Sequence, residues 1–309
     1  MMTRVGLGLG LFFGSMALGW VLQQRGVLNE ARASRLVRLV VMGLSPAVLC
    51  LVFWRMDLRS FEPWRLPFLG FLVSASTQLP ASWYARWAKL SRPETGSFLT
   101  CAFFSNLGYL GAFTAFALFG EAGYALCALY FVFFSPSFYT IGFSLAASHG
   151  HPRKASAMSS AYNDQLRLFP FIGMLAGALL SLSRIPRPLP LEQLNHVLIP
   201  LDTALYLIAI GSQVTLTPPG RWLNACLAMC AIKFLYSPLV ALGLIGLFNL
   251  HGLSKTIVLI EAATPVGVSP LVLPLLFGVD RKLANAVWLF TTLAAIPVFA
   301  LFVPLTLAR

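Results

Sequence analysis

Charge is scarce in this chain. Only 10% of its 309 residues are Asp, Glu, Lys or Arg, against 58% that are hydrophobic, whereas soluble domains average about 25% charged. That shortage excludes a soluble globular protein. Acidic residues are scarcest, ten against 22 basic ones, and no acidic cluster of the kind that marks a dedicated sodium site appears. In a soluble protein the formal charge of +12 would point to nucleic acid. Here the Lys and Arg residues stand singly or in small groups between apolar runs, where they set membrane topology, so no nucleic-acid partner is expected. Five cysteines (Cys50, Cys101, Cys127, Cys226, Cys230) include no CxxC pair. Cys226 and Cys230 share a helix face but have no His or carboxylate nearby, so they read as small packing residues, and no metal is expected. Enzyme constellations are missing as well: there is no HExxH, no aspartate pair and no GxSxG serine with a matching His, and Ser237 four residues after Lys233 only mimics a Ser–Lys dyad. Neither an enzyme nor a cofactor binder is expected.

What the chain has instead is apolar runs of membrane-spanning length from end to end. A bilayer core about 30 Å thick needs roughly 20 apolar residues per helix. Charged and Pro/Gly punctuation predicts ten spans, near 4–22, 33–53, 66–89, 95–119, 121–147, 163–182, 191–216, 222–248, 254–277 and 280–306. The first is too long for a signal-peptide core and counts as a helix. With alternate loops on opposite faces, the even loops and both termini hold eight basic residues: Arg4, Arg55, Arg59, Arg65, Arg184, Arg187, Lys255 and Arg309. The odd loops and their flanks hold thirteen, among them Arg32, Arg35, Arg86, Arg153, Lys154, Arg167 and Lys282. The positive-inside rule then puts both termini outside a plasma or bacterial inner membrane.

An odd number of spans per half would make the halves inverted copies, a transporter signature. Span-interior prolines recur at matching offsets: Pro46 with Pro200, Pro80 with Pro238, and Pro136 with Pro297. The expectation is an all-α polytopic membrane protein, a single transporter unit 1–309 of ten helices in two inverted five-helix repeats (1–147 and 163–309) joined by a loop at 148–162. Spans 4 and 9 are distinctive. SNLGYLG (Ser105 to Gly111) interrupts the first with an Asn and two glycines, and EAATPVGVSP (Glu261 to Pro270) interrupts the second with two prolines and a glycine. Non-helical backbone in mid-membrane is tolerated only inside protein or beside a wet cavity, so two such breaks facing each other predict a substrate site. Elsewhere, Gly6, Gly10, Gly14 and the Gly173/Gly177 pair read as small residues for close helix packing.

Four stretches resemble the auxin efflux carrier family of membrane transporters: Gly19 to Leu49, SNLGYLG with FALFGEAGYALCALY (Phe116 to Tyr130), Ile199 to Leu216, and Ala262 to Leu293. Their order and spacing carry the similarity over nearly the whole chain. The resemblance implies the ten-helix inverted-repeat fold shared with bile acid sodium symporters, substrate held where helices 4 and 9 cross, and a homodimer. Ala112 and Phe113 occupy the region where family members commonly carry a proline, helix 5 reads YFVFFSPSFY (Tyr130 to Tyr139), and the long central loop of the plant exporters is reduced to about fifteen residues. The auxin substrate therefore does not carry over, and an aromatic-lined site is expected.

The expected substrate is a small organic anion. Broken helices present free amides and a positive dipole end, which suit a carboxylate. Donors are expected from Gly108 to Gly111 and from Val266 to Ser269, with Asn106, Thr264, Pro265, Gly267 and Ser269 at the ligand. Glu261 (a proton carrier or gate), Lys233 (charge balance), Asp202 (a partner for Lys233) and Gln213 complete the candidates. Proton, sodium and voltage remain open as the driving force. The alternatives are a sodium-coupled symporter of the bile acid type and a transporter-like sensor that binds without translocating.

Overall fold

The computed structural model describes residues 2–59, 63–151, 169–215 and 217–307. The loop expected at 148–162 lies outside them from residue 152 onward, as do Arg153, Lys154, Arg167 and Arg309. Every regular element among the described residues is helical, and the single extended pairing is between Ser105 and Val266. Six helical runs are long and apolar enough to cross a membrane: Gly6–Gln24, Glu30–Arg55, Leu107–His149, Leu189–Gly211, Gly220–Leu247 and Arg281–Val303. Phe169–Leu182 is a shorter apolar helix.

Proline shapes the long runs. A proline inside a helix loses its N–H and crowds the carbonyl four residues back. At Pro46 and Pro238 the strain is taken up by a π-helical turn just upstream, Val40–Leu44 and Ile232–Tyr236, after which Ser45–Arg55 and Ser237–Leu247 resume with the proline in their first turn. Such wider turns accommodate a misfit without ending the helix.

The chain divides into two compact units, each taking segments from both halves of the sequence. The first comprises Met1–Arg65, Gly108–Leu129 and Asp164–Val214. Its tightest packing uses glycine. Phe169–Leu182 lies on Ser45–Arg55 so closely that a Cβ on Gly173 would stand 2.1 Å from the Pro46 carbonyl oxygen, and one on Gly177 2.2 Å from that of Cys50. Gly19 and Gly211 make the same kind of approach between Met2–Gln24 and Leu189–Gly211. Gly6, Gly10 and Gly14 do not: a Cβ on any of them meets nothing within 4 Å. The close-packing expectation therefore holds for Gly173 and Gly177, while the first-helix glycines meet no neighbour among the described residues.

Gly108–Leu129, the far part of span 4 and the start of span 5, clusters with the first unit through Tyr109 stacked on Tyr206 at 4.0 Å and through Glu121. The second unit comprises Leu66–Leu107, Tyr130–Asn163 and Thr215–Arg309. Part of its core is aromatic, with Phe103, Phe104, Phe138, Phe143 and Phe277 buried together. A Leu-Phe-Gly triplet occurs at 118–120 and again, 158 residues on, at 276–278. Both glycines have a positive φ, Gly120 at φ 64°, ψ −152° inside a kink and Gly278 at φ 71°, ψ 20° in the left-handed cap of its helix, and either conformation costs any residue with a Cβ.

Candidate substrate site

The second unit brings two helix interruptions together. Arg92–Phe103 starts from a capping box in which the Glu94 carboxylate accepts from the Ser91 amide at 2.9 Å and hydroxyl at 2.7 Å, with Pro93 in its first turn. It stops at Phe104, whose backbone is extended (φ −97°, ψ 111°). Gly252–Ala262 stops likewise before Pro265, and helical turns resume at Ser269–Leu271 and Leu273–Phe277. A backbone released from a helix leaves donors and acceptors that must find partners in a protein interior. Each interruption supplies the other: the Asn106 amide donates to Pro265 O at 2.8 Å, the Gly267 amide donates to Phe104 O at 2.9 Å, and Ser105 pairs antiparallel with Val266. Glycine is required at 267, where a Cβ would fall 2.8 Å from the Ser105 carbonyl oxygen.

This pairing corrects part of the expectation. Val266 and Gly267 do not offer free amides to a ligand, because Val266 N–H donates to Thr291 Oγ1 at 3.3 Å and Gly267 N–H to Phe104. Two facing interruptions satisfy one another before either meets a substrate.

Around this pairing stand buried polar side chains. Asn106 is 4% exposed, and Thr264, Glu261 and Lys233 are fully buried. The Lys233 amine reaches the end of Arg92–Phe103, donating to Ala102 O at 2.5 Å and Ser105 Oγ at 2.7 Å. The last carbonyls of that helix take other donors too, Thr77 Oγ1 on Ala102 O at 2.8 Å and Gln78 Nε2 on Leu99 O at 3.0 Å. A cationic side chain at a helix C-terminus complements the helix dipole. Thr264 Oγ1 donates to the Glu261 carbonyl at 2.7 Å, closing the last turn of its helix. Phe103 and Phe104 line a cavity of about 20 Å³ with Phe71, Tyr130 and Phe134.

The structure thus brings together Asn106, Thr264, Pro265, Gly267 and Lys233. Ser269 opens the next turn of its chain. Gly108 and Gly111 lie in the π-helical turn Leu107–Gly111, in the segment that clusters with the first unit. Asp202, buried in the first unit, accepts from Ser45 Oγ at 2.6 Å. Gln213 turns back on its own helix, its Nε2 3.5 Å from Ala209 O. The bond that Asp202 makes is thus to Ser45 and not to Lys233, the partner expected for it. Ser105 and Thr291 escaped the sequence reading. Ser105 sits beside Asn106 in SNLGYLG and had a local signal, whereas Thr291 had none.

The first unit holds a second polar cluster. Glu121, 4% exposed, accepts both Arg187 guanidinium nitrogens at 2.5 and 2.8 Å and Asn195 Nδ2 at 2.5 Å, while Arg55 pairs with Glu192. The bonds from Glu121 hold the Arg187 guanidinium above its already high ordinary value. Glu121, Glu192 and His196 lie close enough to share a metal ion. Both carboxylates are already neutralised by guanidinium groups, so a metal would have to displace arginine.

Long apolar helices, helix ends paired inside one unit and buried polar side chains at that pairing define an integral membrane protein. Residues 11–303 match the family model described as membrane transport protein. The chain belongs to this family of transporters, the auxin efflux carrier family that its broken-helix motifs resemble. An uncharacterized transporter of Methanocaldococcus jannaschii is 27% identical over 290 residues, covering 90% of this chain and 91% of that protein. One of Methanothermobacter thermautotrophicus is 24% identical over 284 residues, with the same coverage.

Proposed function

We propose that the protein is a secondary carrier of a small organic anion, a carboxylate, working by alternating access. The observation that carries this is Lys233, a fully buried amine at the end of Arg92–Phe103, beside the backbone pairing of residues 104–106 with 265–267. A buried cation is costly unless an opposite charge meets it. An ammonium has three N–H donors, and two are directed at Ala102 and Ser105. The third is for the substrate carboxylate, with Asn106, Thr264 and the amide of Ser269 beside it. The aromatic cluster at Phe103 and Phe104 takes the apolar body of the anion. Glu261 serves as proton carrier or gate.

In this reading the chain has ten membrane helices in two inverted repeats, 1–147 and 163–309, with both termini outside the cell membrane. Support comes from the interruptions at Asn106 and Thr264 and from the repeated Leu-Phe-Gly turns, each pair 158 residues apart. The test is flux into proteoliposomes with labelled mono- and dicarboxylates under imposed proton, sodium or voltage gradients. Saturable uptake of one anion, lost in a folded Asn106→Ala variant, is expected. Full activity in that variant refutes the site, uptake only with a sodium gradient favours the symporter alternative, and ligand-induced stabilisation without flux favours a sensor.

A further inference from the structure

Within the first unit, the end of Ser45–Arg55 and the loop after Phe169–Leu182 enclose an open cleft of about 420 Å³. Four arginines line it, Arg55, Arg59, Arg184 and Arg187, together with Asp57 and Glu192. These are half of the eight basic residues that the sequence places on the less basic face of the membrane. The positive-inside rule accounts for arginines on the opposite face and gives no reason for this cluster.

The charges do not cancel. Arg187 is spent on Glu121, and Arg55 on Glu192. Arg59 gives one nitrogen to the Leu182 carbonyl at 2.8 Å. Counting Asp57 and the Glu121 behind the wall, four positive charges face three negative ones among the described residues. The surplus of one matches a phosphodiester, whose planar-fork partner is arginine. The helix ends near the cleft do not repel an anion with bare carbonyls: Leu51 O accepts from Arg187, Met56 O from Ser181 and Leu182 O from Arg59.

The backbone at Arg184 is left-handed, φ 60°, just past the end of Phe169–Leu182, where glycine normally sits because a Cβ is strained there; Lys89 and Asn249 share the conformation past other helices. Tryptophan is enriched at membrane–water interfaces, and two tryptophans stand beside the cleft. Trp54 and Trp64 flank it with their indoles bonded to Ile185 O and Leu58 O, as belt tryptophans do. Below it, Phe171, Leu175, Leu179 and Leu182 form an exposed apolar stripe on Phe169–Leu182, opposite the face that Gly173 and Gly177 press onto Ser45–Arg55.

We propose that this cleft binds the headgroup phosphodiester of an anionic phospholipid, with an acyl chain along the apolar stripe. Arg59 and Arg184 hold the phosphate, and Arg55 borders it. A zwitterionic headgroup would bring its own cation and restore the surplus, so the anionic lipid is preferred. The proposal is independent of what the carrier moves.

The test uses the purified full chain in detergent, titrated with phosphatidylglycerol, phosphatidylcholine or inorganic phosphate and followed by thermal unfolding and native mass spectrometry. Phosphatidylglycerol at about a hundredfold excess over its dissociation constant is expected to raise the midpoint by about 5 °C and to leave one retained lipid per chain. Arg184→Gly suits the left-handed backbone, so it is expected to fold at least as well as the parent and to lose the lipid shift. Arg59→Gln is expected to weaken the shift, and Lys255→Gln, outside the cleft, to keep it. An equal response to phosphatidylcholine, an equal response to inorganic phosphate, or a full shift in Arg184→Gly would each overturn the proposal.

Discussion

Gly173 and Gly177 allow a quantitative test of the first unit's packing. Alanine at either position puts a carbon 2.1 Å from Pro46 O or 2.2 Å from Cys50 O, where contacts under 3.0 Å essentially never occur. The obstructing atoms are backbone, so no rotamer change relieves the clash. Phe169–Leu182 must retreat by about 1 Å, loosening its seam with Ser45–Arg55. Overpacking of this kind costs about 1–3 kcal/mol, which thermal unfolding in detergent reads as a midpoint several degrees lower. Both clashes lie on one face, so a single retreat relieves both, and the double alanine variant should cost little more than either single one. Alanine at Gly6, Gly10 or Gly14, where no atom lies within 4 Å, should raise the midpoint slightly, since Ala is favoured over Gly inside a helix by about 1 kcal/mol. Parent-like stability of the Gly177→Ala variant, or a double cost equal to the sum of the singles, would refute the close-seam reasoning.

Further expectations address the polar clusters and turns. Glu121→Gln takes the bidentate partner from Arg187, whose side chain is 5% exposed, and leaves it Glu192 at 3.8 Å, so it should destabilise by about 3 kcal/mol, the low end for breaking a buried pair, with chemical denaturation showing a smaller combined loss for Glu121→Gln/Arg187→Met than the two singles predict. Lys233→Met removes a buried charge together with its desolvation cost, so the protein should remain folded by thermal unfolding while proteoliposome flux of the anion disappears. Gly278→Ala forces a Cβ into a left-handed turn at φ 71° and should cost about 1–2 kcal/mol in the same unfolding assay.

Much of this protein is local and was readable as such. A scarcity of charge and repeated apolar runs define a membrane protein, because a helix in lipid needs little beyond length and apolarity. The helical bounds fall near those expected: 191–216 is observed as Leu189–Gly211, and 222–248 as Gly220–Leu247. The interruptions could be located too, since Asn-Leu-Gly and Pro-Val-Gly weaken a helix wherever they stand. What those interruptions do with their backbone could not be read. That Gly267 donates to Phe104 and Asn106 to Pro265 depends on segments about 160 residues apart meeting, and no local preference encodes the meeting. The same holds for Lys233, whose acceptors lie 131 and 128 residues away, and for Glu121, whose arginine is 66 residues on.

Glycine makes the division plain. Gly10 and Gly14 and Gly173 and Gly177 have the same spacing in apolar helices, yet only the second pair touches another backbone. The sequence by itself determined which segments are helical, apolar and interrupted, because those properties arise from neighbours along the chain. Tertiary structure alone decided which glycine face is covered, which amides remain for a ligand and which charges are paired, because burial and hydrogen bonding belong to neighbours in space.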